Sequence, residues 1–530
     1  MKWQPAREVN GKVYDAKVSF EAEDDDSPIA YAKLRFIPRE YKREYKHLSP
    51  KAFSEEAIRE RVLKPLDGVF DELKEEFAVD ITDIIGGREY DVAVIVKDKA
   101  GNTITGTLET LWIREFENIA PLDDILIGAF YYPWYSSKPI RHWPEGYKGI
   151  PILGEYNSRD PAVISKHIDW ATGHGIDFLC VSWWGPRSWE DITLRDFILK
   201  NPLIDDIQIC ILYESKGRFF GKEKMNFDSY NRIILLDDLR YLSDTYFNNP
   251  RYLKIDGRPV VFIYAAKDFE GDVNSAINEI REQLESEKGY NPFLIGDQVY
   301  WQSPDAEREK NLAKAFDAIS AYTMHASVPD INTNFVQKVL AQYKLWSSIS
   351  NKVDVYFIPE VMPGFDDTRV RPEARHPVID RNPERFKRFC EGALRYLDPR
   401  IRMVLITSWN EWHEYTQIEP AVDYGFDYLR VIKEVLAGLS LADFKDDALL
   451  AIHQAEEHID RYCYSAPLCE RAKSILLQSE NAFKEGDYLL AKYLANEARA
   501  TLNPAGICID GSDEDWTARY EPIANPVCKF

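Results

Sequence analysis

From residue 125 onward the chain alternates short apolar, β-prone runs with longer segments of helical periodicity. Eight such runs can be read, at 125–132, 177–184, 207–214, 259–265, 293–301, 318–324, 354–361 and 402–410. Apolar runs of this length, bounded by turn residues, are what strands buried on both faces of a parallel sheet look like. The segments between them carry helix starts and stops. Asp160-Pro161 reads as a cap and first turn, with Gly173 or Gly175 closing the helix, and further starts fall near Gly271-Asp272, Asn334 and Asn382-Pro383. Eight strand–helix repeats over about 310 residues predict an α/β fold, a (β/α)8 TIM barrel with enlarged loops. The rival, a doubly wound open sheet, calls for a glycine-rich phosphate turn after an early strand, and none is visible.

The flanks have different periods. Segments 12–20 and 90–97 alternate at period two, and the second runs into the turn Asp98-Lys-Ala-Gly-Asn102. This predicts an immunoglobulin-like β-sandwich at 1–120, acting as scaffold, with a charged, helix-prone insert at 49–76. After residue 440 the pattern is helical, with two antiparallel amphipathic helices expected at 446–462 and 469–502. One pair cannot stack as a solenoid, so it should pack on the barrel. The tail beginning Gly506-Ile-Cys-Ile-Asp510 reads as the opening strand of a carbohydrate-binding β-sandwich with too few residues to complete it, so the natural chain is expected to continue past Phe530. The division is therefore 1–120, 121–440, 441–502 and 503–530, as a length of 530 residues, beyond the reach of one core, also suggests.

A formal net charge of −22 argues against nucleic acid and anionic membranes as partners, since both need surplus Lys and Arg. The 13 Trp, 30 Tyr and 26 Phe fit either a large core or stacking faces for pyranose rings. No run of about 18 apolar residues and no signal-peptide core is present, so a cytosolic protein, or an exported one that has lost its signal, is expected. Seven cysteines lack CxxC spacing. Cys180, Cys210 and Cys390 lie in strand or helix patterns and should be inert, while Cys463, Cys469, Cys508 and Cys528 are available for one or two disulfides whose pairing stays open. His453 and His458 are five apart, the wrong interval for one helix face, so no metal and no cofactor is expected. Oligomeric state is open.

The chemistry concentrates in Ser408-Trp-Asn-Glu-Trp-His-Glu-Tyr-Thr-Gln-Ile-Glu419, directly after the eighth apolar run. Two carboxylates, Glu411 and Glu414, stand among aromatic rings where a barrel strand should emerge at its catalytic end. Read without its surroundings, a glutamate pair on a loop is usually a solvated face. Glu419 reads as a loop-ordering group held by a salt bridge or backbone hydrogen bonds, and His413 as either a sugar ligand or a structural donor.

With this run the chain resembles glycoside hydrolase family 99, the endo-α-1,2-mannosidases and endo-α-1,2-mannanases, whose members carry a near-identical Asn-Glu-Trp-His-Glu-Gly-Thr-Gln-Ile-Glu-Pro. The resemblance extends over 125–431, through Phe130-Tyr-Tyr-Pro-Trp-Tyr135, His142-Trp143, Ser182-Trp-Trp-Gly-Pro186, Tyr213-Glu214, Ala321-Tyr322 and Pro363-Gly-Phe-Asp-Asp-Thr-Arg369 with Arg371. Tyr415 departs from the family's Gly, and Trp409 stands where Phe is common. A ring at 415 is expected to narrow the leaving-group side.

The resemblance implies roles. Glu411 would be the base on the sugar 2-hydroxyl, giving a 1,2-anhydro sugar, and Glu414 the acid that protonates the leaving group and then activates water, with net retention. For that, burial and the Glu411 charge should raise the Glu414 pKa. Substrate contacts are expected from Tyr132, Trp134, His142, Trp184, Glu214, Tyr322, Arg369, Arg371, Asn410, Trp412 and His413. Trp184 matches a position that favours mannose one subsite beyond the cut, and the charge of Glu214 is also open to pairing with Arg369 or Arg371. The expected partner is a mannan-type oligo- or polysaccharide. Two alternatives stand beside it: a hydrolase of another α-glycan, and a glycan-binding barrel attached to polysaccharide synthesis, a kind that tends to lose part of the Asn-Glu-Trp-His-Glu run, which is intact here.

Overall fold

The computed structural model describes residues 2–4, 8–9, 13–38, 59–85, 87–122, 125–221, 223–227, 230–301, 304, 306–324, 331–439, 441–463 and 466–502. All eight expected barrel strands form. They are Leu126–Tyr131, Phe178–Trp183, Gln208–Tyr213, Arg258–Ile263, Phe293–Asp297, Ala318–Ser320, the split pair Tyr356–Phe357 with Glu360–Val361, and Met403–Ile406. Each pairs in parallel with its neighbours, and the eighth returns to the first with Leu405 opposite Gly128. The seventh is interrupted at Ile358-Pro359, because proline has no N–H to give to a ladder. Its first half pairs with strand six and its second half with strand eight, so the ring closes through this bend.

Nearly every residue of these strands is buried, which explains their unbroken apolar runs. The helices begin where the sequence predicted. Asp160 accepts from the Ala162 N–H at 3.1 Å to open Pro161–Thr172, Asp272 caps Val273–Lys288, and Asn382 caps Pro383–Ala393.

The N-terminal residues form two antiparallel sheets. In one, Val13–Glu23 pairs with Lys2–Gln4 and Glu8–Val9 on one edge and Lys74–Ile85 on the other; the second runs in the order Arg59–Leu63, Ile29–Pro38, Arg88–Asp98, Thr103–Ile113. Phe77 from the first sheet joins Leu34, Phe36, Tyr90 and Val92 of the second in one apolar cluster. The expectation of a helix-prone insert at 49–76 is corrected over its described part. Residues 59–63 are an edge strand, where Glu60 lies opposite Arg35 and pairs with Lys33 and Arg35 at 3.1 and 3.2 Å, so cross-strand charge pairing outweighs helix propensity. Residues 39–58 fall outside the described part. The sheets meet the barrel where the Trp112 indole donates to Asp169 at 3.1 Å and Lys166 pairs with Glu115 at 2.7 Å.

The expected C-terminal helix pair is three helices, Lys445–Tyr462, Ala466–Glu485 and Tyr488–Thr501. The second predicted helix breaks at Gly486, whose φ of 87° is a left-handed stop that glycine adopts without a Cβ penalty. Leu489 reaches the barrel's core cluster and Arg402 pairs with Asp487, so the bundle packs on the barrel. Cys463 and Cys469 form a disulfide, Cys180, Cys210 and Cys390 are free and buried, and Cys508, Cys528 and the expected strand of the tail lie outside the described residues. No helix among the described residues is long and apolar enough to cross a membrane.

Glu360, just past the bend in strand seven, ties three strands together. It accepts from Ser320 Oγ at 2.5 Å, the Ala321 N–H at 3.0 Å and Thr407 Oγ1 at 2.8 Å. Burial pushes its carboxyl up to about 8 from an ordinary 4.5. Between those values the folded state keeps a proton that the unfolded chain releases, so this group's stabilisation is present below pH 4.5 and lost as pH rises towards 8, by about 1.4 kcal/mol per unit. Urea midpoints of wild type and Glu360→Gln at pH 5 and pH 8 should show the variant gaining on wild type as pH rises; a gap that stays constant would contradict the sign.

Candidate active site

Strand eight ends at Ile406, and the loop that follows folds back on itself. Ser408 N–H donates to the Thr416 carbonyl at 3.0 Å, Ile418 N–H to that of Ser408 at 2.8 Å, and Glu419 N–H to that of Trp409 at 2.8 Å. Behind the loop sits Glu419, without solvent exposure. It accepts from Tyr156 OH and Trp412 Nε1, both at 2.8 Å, and faces His167 Nε2 at 3.0 Å, whose Nδ1 meets Tyr131 OH at 3.0 Å. Glu419 thus orders the loop as expected, through hydrogen bonds that its carboxyl makes with side chains. Asn410 accepts from the Tyr132 N–H at 2.7 Å and donates to the Tyr132 carbonyl at 3.0 Å and Tyr156 OH at 3.1 Å. On the outer side Arg381 donates to the carbonyls of Tyr415 and Gln417 at 2.8 and 2.7 Å.

This scaffold aims two carboxyls. Glu411 is held at its N–H by Ser408 Oγ at 2.8 Å, and its Oε1 accepts the His413 N–H at 3.0 Å with His413 Nδ1 at 3.2 Å. Its Oε2 makes no hydrogen bond among the described residues. Glu414 Oε1 accepts from Arg371 Nη1 at 2.7 Å, while its Oε2 is buried without a partner. Arg371 is in turn fixed by Asp367 at 3.1 Å, and Asp367 by His376 at 2.7 Å. Burial raises the Glu414 pKa, Arg371 opposes, and the charge of Glu411 adds to the rise; the net direction is upward, as expected from the sequence.

Around this pair stand most of the other expected residues. Tyr132 and Tyr322 join through their hydroxyls, Trp134 stacks on His142 with centroids 4.8 Å apart, and Glu214 accepts from Ser182 Oγ at 2.6 Å. Burial pushes Glu214 up to about 8, with Glu411 and Glu414 adding to the rise, so at neutral pH it is mostly a protonated carboxyl able to donate. Trp184 is 38 % exposed, anchors its indole on Ser182 Oγ at 3.0 Å, and packs against Gly217, where a Cβ would collide with the ring.

Other expectations change. Glu214 pairs with neither arginine, and the exposed Arg369 donates to the Tyr147 carbonyl at 2.8 Å instead of reaching a carboxylate. Asn410 and Trp412 are fully buried with their polar atoms spent inside the protein, so they build the wall rather than face a ligand. The Tyr415 ring lies over Arg381 at 4.7 Å, with Gly149 and Asp423 beside it, on the outer side of the loop. Missed altogether was Tyr264, one residue past strand four, whose ring meets that of Tyr322 at 5.1 Å. The rule that finds Tyr322, an aromatic at a strand's C-terminal end, finds Tyr264 as well. Among the described residues one group has metal-ligand proximity, His142, Glu145 and His413. His142 Nδ1 is already 3.1 Å from Glu145 Oε2, and both nitrogens of His413 face other acceptors, so hydrogen bonding accounts for the group without a cation.

A parallel barrel with paired carboxyls and stacking rings at the C-terminal ends of its strands defines the class of barrel enzymes that cut glycosidic bonds. The chain belongs to glycosyl hydrolase family 99, whose model matches residues 146–435, and is a glycoside hydrolase. It is 27% identical over 346 residues to the glycoprotein endo-alpha-1,2-mannosidase of Mus musculus, covering 58% of this chain and 70% of the relative. It is 28% identical over 346 residues to the glycoprotein endo-alpha-1,2-mannosidase-like protein of Homo sapiens, covering 56% and 68%. A solved structure described as a glycoside hydrolase-like protein shares the fold, with a TM-score of 0.50 and 22% identity over 60% of this chain and 96% of that one.

Two outcomes follow from this geometry. Tyr415 has a φ of 58°, the left-handed region where a Cβ costs about 1–2 kcal/mol. Tyr415→Gly should therefore be more stable than Tyr415→Ala by about 1 kcal/mol in urea denaturation, the reverse of the helix order. Gly217→Ala should displace Trp184 and raise KM for oligosaccharides with kcat nearly unchanged, whereas an unaltered KM would mean that Trp184 does not line the bound glycan.

Proposed function

We propose that the protein is an endo-acting hydrolase of α-mannosidic bonds in α-1,2-linked, mannan-type glycans, and that it works with net retention through the substrate's own 2-hydroxyl. The observation that carries this reading is the division of labour within each carboxyl. Glu411 and Glu414 stand three residues apart on one pinned loop, each with one oxygen engaged and the other left for a ligand. The names of the curated relatives support the substrate class.

In an α-mannoside the anomeric bond and the 2-hydroxyl are trans-diaxial. Glu411 Oε2 takes the proton of O2, and O2 attacks C1 from the face opposite the departing group. The bond from C1 to the glycosidic oxygen breaks as Glu414 gives that oxygen its proton. The 1,2-anhydro sugar is then opened at C1 by water, which loses a proton to Glu414 while O2 recovers one from Glu411. Two inversions give retention, outside the usual carboxylate-nucleophile scheme. Burial raises the Glu414 pKa and so favours its acid form, and Arg371 stabilises the carboxylate it leaves behind. Tyr132, Trp134, His142, Trp184, Glu214 and Tyr322 line the sugar in this reading.

The N-terminal sheets are proposed as an immunoglobulin-like accessory module at 1–120. Support comes from the chain order, which places Val13–Glu23 in one sheet, Ile29–Pro38 and Arg59–Leu63 in the other, Lys74–Ile85 back in the first, and Arg88–Asp98 with Thr103–Ile113 in the second. The remaining divisions, 121–440 for the barrel and 441–502 for the helices, belong to the same proposal.

Glu411→Gln and Glu414→Gln should each lower kcat on an α-1,2-mannan by about 10²–10⁴-fold. On a dinitrophenyl α-mannoside, whose leaving group departs without a proton, Glu414→Gln should lose much less than on the mannan. Wild-type activity should fall as pH rises through the raised Glu414 pKa, since the acid form is the working one. A 2-deoxy substrate cut as fast as its parent overturns the mechanism, and equal losses on both leaving groups overturn the acid assignment.

A further inference from the structure

We propose that His413 is a positioning residue for Glu411: a doubly protonated ring that fixes Oε1 and so leaves Oε2 as the oxygen that receives the substrate's proton. The proposal rests on the reading of Glu411 as the base on O2.

The argument starts from what each ring nitrogen faces. His413 Nε2 lies 2.9 Å from the carbonyl oxygen of His142, a group that only accepts, so Nε2 carries a hydrogen. Nδ1 lies 3.2 Å from Glu411 Oε1, which also accepts the His413 N–H at 3.0 Å. Whenever Glu411 is ionised, that nitrogen too must present a hydrogen, and the ring is an imidazolium. A ring with both nitrogens spent in this way has none for a sugar, which removes His413 from the expected substrate ligands. The stack around it holds the ring plane: Tyr135 lies nearly parallel at 5.7 Å, with Trp134 at 6.3 Å and His142 at 5.6 Å. The facing charges agree with a cation. Burial lowers the His413 pKa, but Glu411 outweighs it and Glu145 adds to the rise, while burial lowers that of His142 and so removes a competing positive charge.

The consequence is geometric. The carboxylate can rotate about its last torsion unless one oxygen is tied, and a terminal sp³–sp² torsion is soft. Two donors on Oε1 fix that rotation, so Oε2 meets O2 in one orientation. An error of about 1 Å there costs about 10²-fold in rate.

The test compares His413→Gln with His413→Asn on a defined α-1,2-mannan oligosaccharide. Glutamine can place an amide near the Nε2 position, towards the His142 carbonyl, but leaves Glu411 Oε1 without its side-chain donor. Asparagine can place an amide N–H near the Nδ1 position. The expected result is a kcat about 10²-fold lower for His413→Gln with KM within about 3-fold of wild type, and recovery of at least about 10-fold of that loss in His413→Asn. A raised KM with unchanged kcat in both variants would overturn the proposal in favour of a sugar ligand. Equal kcat losses accompanied by equal falls in Tm would overturn it in favour of packing. Turnover of a 2-deoxy glycoside by wild type keeps the two readings apart. If that compound is cut at the parent's rate, the base reading itself fails; if it is inert and the two His413 variants behave alike, only the role of His413 falls.

Discussion

A carboxylate with no access to water must find its hydrogen-bond donors inside the protein, and the site is arranged around how Glu419 finds its own. The partners come from three places: Trp412 in the same loop, Tyr156 ahead of the first barrel helix, and His167 on the helix Pro161–Thr172, whose other ring nitrogen meets Tyr131 at the end of strand one. Leaving such a buried polar group without partners costs about 1–3 kcal/mol. The loop carrying Glu411 and Glu414 is thus fixed against the opening strand and helix of the barrel, some 250 residues earlier in the chain, as Asn410 also fixes it through the backbone of Tyr132.

Around this fixed loop the electrostatics separate three neighbouring carboxyls. Glu414 has a cation, Arg371, on one oxygen and no partner on the other. Glu411 has histidine donors on one oxygen. Glu214 has only a hydroxyl, and burial leaves it largely protonated at neutral pH. Neighbouring like charges disfavour ionisation, and burial and the neighbouring carboxyls raise both Glu414 and Glu214, so carboxyls of one residue type are set apart by their surroundings.

Much of this was legible in the chain. The eight apolar runs became the eight strands because interior barrel strands are buried on both faces and tolerate little else. The caps at Asp160, Asp272 and Asn382 appeared where predicted because an N-cap is a local bond, made within three residues. Glycine was less informative at a distance: Gly486 broke a predicted helix because it takes a left-handed φ, and helical periodicity on both sides concealed the break. Residues 59–63 are charged and helix-prone, yet they are a strand, because the partners of Glu60 lie on a neighbouring strand.

By itself the sequence determined the barrel, the position of the 408–419 loop at the end of its last strand, and the two carboxyls on it, since each depends on periodicity or on neighbours along the chain. Only the tertiary structure decided which aromatic and polar residues of the motif are spent on partners inside the protein. Asn410 and Trp412 turned inward, Arg369 turned away, Arg371 came to Glu414, and Tyr264 joined unannounced. The reason is that a side chain's partner is set by contacts between distant segments, and the residue type alone is compatible with either outcome.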